Sequence, residues 1–138
     1  MARGDADLPA LRVGVDIVEV ARIAEAVARW GDRFLWRVFT PEELAYCRGN
    51  IPSLAARWAA KEAVVKALET GAWREGIRWT DVEVLREGEG PPRVRLHGAA
   101  RQRAEEMGLR RWALSLSHSR TAAIAFVVAW SSSNLDEG

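Results

Sequence analysis

The chain has 138 residues, a formal net charge of +1 and 28% charged residues, which fits one domain and excludes a polyanion binder that works by bulk charge. A single cysteine, Cys47, excludes an intrachain disulfide framework and cysteine-rich zinc sites and fits a reducing compartment. No stretch approaches the ~20 apolar residues of a membrane span and no apolar signal segment stands at the start, so a cytoplasmic protein without membrane or nucleic-acid partners is expected.

Residues 1–10 and 131–138 are polar and read as flexible tails around a single domain spanning 11–130. Leu11 to Val18 is a short β-branched run and predicts a buried strand, with Asp16 near its C-terminal end. Val20, Ile23, Ala24 and Val27 then recur at helical spacing through Trp30. Thr40-Pro41-Glu42-Glu43 is a helix start: Thr40 as N-cap, Pro41 at the first helical position and Glu43 closing a capping box. That helix runs to about Arg48, where Gly49 and Asn50 stop it.

A long helix follows from about Pro52 to Glu69, with Gly71 placed to end it. Asp81 to Arg86 and Arg93 to Leu96 are strands joined by a Gly/Pro-rich turn, Ala99 to Met107 is helical, and Trp112 to Ser117 pairs with Ala122 to Trp130 as a hairpin. The order β-α-α-α-β-β-α-β-β predicts an α+β domain in which a small, mainly antiparallel sheet packs on the long central helix. The seven tryptophans are scattered along the chain and serve as core residues or, at some positions, subunit contacts.

The long helix carries the strongest chemical signal. At about 100° per residue, Ala55, Trp58, Glu62, Lys66 and Glu69 form one stripe, while alanines, valines and Leu68 cover most of the remaining circumference. Such a helix is expected to be packed on several sides, which would bury Glu62 beside Lys66. Buried charges persist only when paired, metal-bound or facing a site. An ordinary i,i+4 ion pair is the other reading.

Asp16, on a different element, converges with Glu62 only through the fold; if it does, the two make a hard oxygen site. Two carboxylates with a nearby lysine suit Mg2+ bound to a pyrophosphate, because that ion takes one or two carboxylates plus phosphate oxygens and water. Asp16 could equally stabilise the N-terminus of the helix that follows it. His118, between Ser117 and Ser119, donates to a phosphate or fills a hairpin turn. Arg57 and Lys61 are phosphate ligands or a solvated face.

Four segments taken together resemble the 4′-phosphopantetheinyl transferases, and within them the short, single-copy members. They are Gly14-Val15-Asp16-Ile17, Phe39-Thr40-x-x-Glu43, Arg57-Trp58-Ala59-Ala60-Lys61-Glu62-Ala63-x-x-Lys66-Ala67, and Ser115-Leu116-Ser117-His118-Ser119. The resemblance covers about Val13 to Val128. It implies transfer of phosphopantetheine from coenzyme A to a serine of apo acyl carrier protein, with release of adenosine 3′,5′-bisphosphate.

Carried over residue by residue, Asp16 and Glu62 would hold Mg2+, Lys66 would balance charge at the diphosphate, and Glu62, directly or through water, would take the serine proton. Arg48, Arg57, Lys61, Lys66, Gly71 and His118 would bind coenzyme A, and Arg22 and Arg33 would dock the acidic carrier, an assignment that the run Arg22, Arg29, Arg33, Arg37 also favours. The short members resemble homotrimers with sites between subunits, so a homotrimer is expected. Glu69-Thr70-Gly71 departs from the family's Gly-Thr-Gly loop and sets a carboxylate near a phosphate site. Two other activities fit the same residues: a coenzyme A or nucleotide-binding module without transfer, and a Mg2+-dependent phosphohydrolase in which water attacks.

Overall fold

A computed structural model of the chain describes residues 10–68 and 76–131. All but Ala10 and Ser131 of the expected tails, together with Glu69 and Gly71, lie outside the described residues. The elements are β1 (Leu11–Glu19), α1 (Val20–Trp30), α2 (Asp32–Val38), α3 (Pro41–Cys47), α4 (Ile51–Ala67), β2 (Val82–Leu85), β3 (Arg93–Leu96), α5 (Gly98–Glu106), β4 (Arg111–His118) and β5 (Ala122–Trp130). The fold is α+β, as the sequence predicts, with the strands divided between two antiparallel sheets: β1-β5-β4 and the hairpin β2-β3.

One helix was not anticipated. Gly31 takes a positive φ of 55°, which ends α1 and redirects the chain into the separate helix α2. The α3 start forms as the sequence requires: Glu43 N–H donates to Thr40 Oγ1 at 3.2 Å and Thr40 N–H donates to Glu43 Oε1 at 2.9 Å. Asn50 caps α4 by accepting from Ser53 N–H at 2.9 Å, and Pro52 occupies its first turn.

Helix α4 is the centre of the molecule. Its alanines at 55, 56, 59, 60, 63 and 67 are all buried, and they face small inward residues of β5, Ala123, Ala125, Val127 and Ala129. Alanine side chains let helix and sheet approach closely. Contact is tightest at Gly14, where a Cβ would stand 1.9 Å from the Ala63 carbonyl oxygen and 3.2 Å from Ala67 N. Only glycine permits that approach, so the glycine two residues before Asp16 sets the separation of β1 from α4.

Strand β1 alternates strictly. Gly14 and Val18 are buried against α4 and Asp16 is half-buried on the same face, whereas Leu11, Val13, Val15 and Ile17 are 59%, 58%, 48% and 66% exposed on the other. The register Val15↔Phe126 and Ile17↔Ile124 extends that outward apolar face onto β5, where both partners are also exposed.

Candidate active site

The inward face of β1 and the outward stripe of α4 meet at Asp16. Lys66 Nζ lies 3.1 Å from Asp16 Oδ1 and donates to the Val15 carbonyl oxygen at 3.0 Å. Glu62 stands one turn earlier on the same stripe, with Trp58 a further turn back. The expectation of a buried carboxylate beside a buried ammonium is corrected here: the Lys66 side chain is 55% exposed, Asp16 is 17% exposed, and Glu62 is half-buried. The all-round apolar helix faces solvent along this one line, and its charges sit there for that reason.

The buried ion pair of this helix is a different one. Lys61 Nζ bonds Glu43 Oε1 at 2.9 Å, both side chains being wholly buried, and donates further to the carbonyl oxygens of Trp79, at 3.1 Å, and Val82. Burial pulls the Lys61 ammonium below its usual range, against the opposing pull of Glu43. Lys61 was expected to contact coenzyme A phosphates; with its three donors spent inside the protein, it cannot. The residue type and the neighbouring Glu62 drew that assignment, while Val64 and Val65, three and four residues on and therefore on the same face of the helix, were the signal against it.

The remaining assigned residues do not gather at Asp16. Arg57 is buried on another face of α4, its guanidinium 4.6 Å from the centre of the Tyr46 ring and its Nε without a hydrogen-bond partner among the described residues. Arg48, the left-handed C-cap of α3, is exposed at the junction between α3 and α4. His118 is exposed at the end of β4, two strands from β1 and so about 10 Å across the sheet from it.

Arg22, Arg29, Arg33 and Arg37 are all exposed on α1 and α2. Arg33 and Arg37 also line a cleft of about 430 Å3 walled by Trp30, Phe34, Trp58 and Trp79. Phe34 stacks on Trp58 and Trp58 on Trp79, so the α4 stripe continues from Glu62 into an aromatic wall. Another cleft, of about 880 Å3 beside Leu96, His97, Arg101 and Trp112, is lined by none of Asp16, Glu62 or Lys66.

Sequence reasoning missed a network behind the site. Glu43 Oε2 accepts from Val84 N–H at 2.7 Å, Thr40 Oγ1 donates to Glu83 Oε2 at 2.6 Å, and His97 Nε2 lies 2.9 Å from Glu83 Oε1. Burial pushes the Glu83 carboxyl up, but the Thr40 and His97 hydrogen bonds outweigh it and hold the group below its ordinary value.

Comparison with known proteins gives the family. Residues 12–131 match the profile of the 4′-phosphopantetheinyl transferase superfamily. A holo-[acyl-carrier-protein] synthase of Herpetosiphon aurantiacus is 53% identical over 123 residues, covering 86% of this chain and 97% of that protein. One from Dehalococcoides mccartyi is 50% identical over 119 residues, covering 86% and 98%. Among solved structures, the Helicobacter pylori holo-[acyl-carrier-protein] synthase in complex with coenzyme A superposes with a TM-score of 0.76 at 32% identity, covering 85% of this chain and 98% of that one. The Neisseria meningitidis synthase gives 0.76 at 35%, covering 86% and 96%. The chain belongs to the 4′-phosphopantetheinyl transferase superfamily.

Proposed function

We propose that this protein transfers the 4′-phosphopantetheine group of coenzyme A to a serine of apo acyl carrier protein, as a holo-[acyl-carrier-protein] synthase. The observation that carries the reading is the contact of Lys66 with Asp16 beside the Gly14–Ala63 approach, with Glu62 one turn earlier on the same helix stripe. Among the described residues no group of three or more His, Cys, Asp or Glu side chains comes together. A hard cation held by Asp16 and Glu62 would therefore complete its shell from water and the pyrophosphate, which is the habit of Mg2+. That ion supplies charge neutralisation at the phosphate being attacked.

The chain's own residues do the rest. Lys66, already beside Asp16 and open to solvent, faces the diphosphate and stabilises the charge that grows on the leaving adenosine bisphosphate. Glu62 accepts the serine proton. Arg48 and His118 contact the phosphates and adenine, Arg57 backs that surface from its buried place against Tyr46, and Gly71 belongs to the segment beyond the described residues. Arg22 and Arg33 meet the acidic carrier, and the cleft between Phe34, Trp58 and Trp79 leads from that surface towards Glu62.

Arg57, Arg48 and His118 lie apart from Asp16 on one chain, and the outward face of β1 and β5 leaves Leu11, Val13, Val15, Ile17, Ile124 and Phe126 in solvent. Both facts favour a homotrimer in which neighbours cover that face and bring the two groups together. No described helix is long and apolar enough to cross a membrane, and a cytoplasmic setting is part of this reading.

The test is intact-mass spectrometry of an apo acyl carrier protein after incubation with the enzyme, coenzyme A and Mg2+. A gain of about 340 Da at the serine, abolished by EDTA, is expected. Glu62→Gln should stay folded and lose the metal-dependent gain by about 100-fold or more; full turnover by that variant would sink the role of Glu62. Release of adenosine bisphosphate without a carrier would instead identify a phosphohydrolase.

A further inference from the structure

The alanine face of α4 makes a close contact but a smooth one. Ridges of methyl groups are shallow, so they resist rotation or sliding of the helix less than interlocked large side chains do. Lys61 leaves the opposite impression. Its ammonium reaches three elements at once: Glu43 of α3, the Trp79 carbonyl in the turn before β2, and the Val82 carbonyl at the start of β2. Glu43 is in turn fixed by the Thr40 and Val84 backbone N–H groups at 2.9 and 2.7 Å.

We infer that the buried Lys61–Glu43 pair is a positioning device for the transfer reaction: it fixes the rotation and axial setting of α4, and so aims Glu62 and Lys66 at Asp16. The inference rests on the reading of Asp16, Glu62 and Lys66 as the reacting site. Residue 62 follows Lys61 directly and lies about 100° round the helix, so any turn of α4 that the clamp prevents would swing Glu62 around the helix axis and change its position relative to β1. A buried ion pair is a weak source of net stability, because desolvating both charges consumes most of the attraction; its better-attested use is to specify one register among several. Hydrogen bonds to fixed carbonyls are directional, which methyl contacts are not.

The test separates position from stability. The pair variant Lys61→Met/Glu43→Gln removes both charges at similar volume and keeps one of the two acceptors that Glu43 offers to the Thr40 and Val84 N–H groups; Lys61→Arg keeps the charge but cannot place three donors at the same points. Melting temperature, kcat, and KM for coenzyme A and for the carrier are measured for each. The expected result is a folded protein with both KM values within about twofold of the parent and kcat lowered about 10- to 100-fold, since displacement of reacting groups by about 1 Å costs rate on that scale.

Parental kcat in folded variants, or kcat and both KM values worsening together, would overturn the inference. Failure of both variants to fold would reduce the pair to a folding requirement and overturn it as well. Glu62→Gln is run beside them: if it turns over normally while the pair variant has lost kcat, the assignment of Glu62 fails and the clamp stands.

Discussion

Gly14 shows how one missing side chain can set the dimensions of a site. An alanine there would place its Cβ 1.9 Å from the Ala63 carbonyl oxygen, and backbone on both sides leaves no flexible atom to move aside. Gly14→Ala is expected to destabilise the protein by about 3 kcal/mol or more, the upper range of overpacking, because β1 must lift from α4. Urea unfolding measures the loss, and turnover at a temperature where the variant remains folded should also fall. The motif glycine was legible as a letter; its reason was not. Nothing in the sequence reveals that a strand glycine faces a helix carbonyl, because that contact joins positions 14 and 63.

At the scale of the element, helix α4 was read correctly for periodicity and incorrectly for exposure. The stripe of Trp58, Glu62 and Lys66 follows from spacing alone, but whether a stripe faces core or solvent depends on what packs around it. The same spacing hid Lys61, whose partners come from α3 and from the approach to β2. The β2 end of that network offers a check by pH. Glu83 is held below the ordinary carboxyl value of 4.5 in the folded state, so its ionised form adds stability that is complete above that value and is lost as pH falls through the lower folded one. Glu83→Gln should cost about 1 to 3 kcal/mol at pH 7 through the weakened bonds to Thr40 and His97. The gap between parent and variant should stay constant down to about pH 5 and narrow below it. Denaturant unfolding at several pH values tests this; a gap that widens in acid would contradict the assignment.

For the whole molecule, the fold class was legible, since strand alternation, capping residues and motif order all agree, whereas the meeting of Asp16 with the α4 stripe was left open by the residues and suggested only by the family resemblance. The division into two sheets was not, because nothing in β3 or β4 alone tells which edge remains unpaired. Assembly makes the prediction at this scale. Val13→Lys/Ile17→Lys puts two charges on the outward face of β1, where each parent side chain is more than half exposed in the single chain. Light scattering should report monomers for the variant and trimers for the parent. Transferase activity should fall at least tenfold, although neither residue faces Asp16. Trimeric, active double variants would show that the outward face is not the contact.

The strict alternation of β1 ties these scales together. Asp16 points to the helix because it is an even-numbered neighbour of Gly14 and Val18, and Val15 and Ile17 point away because they are odd. Adding or removing one residue within β1 would exchange the two sides at every position beyond the change, sending the carboxylate outward and a valine or isoleucine against α4. The proposed chemistry and the proposed self-association thus share a single reading frame in three dimensions, and a length change in this strand is expected to abolish both at once even if every residue type were kept.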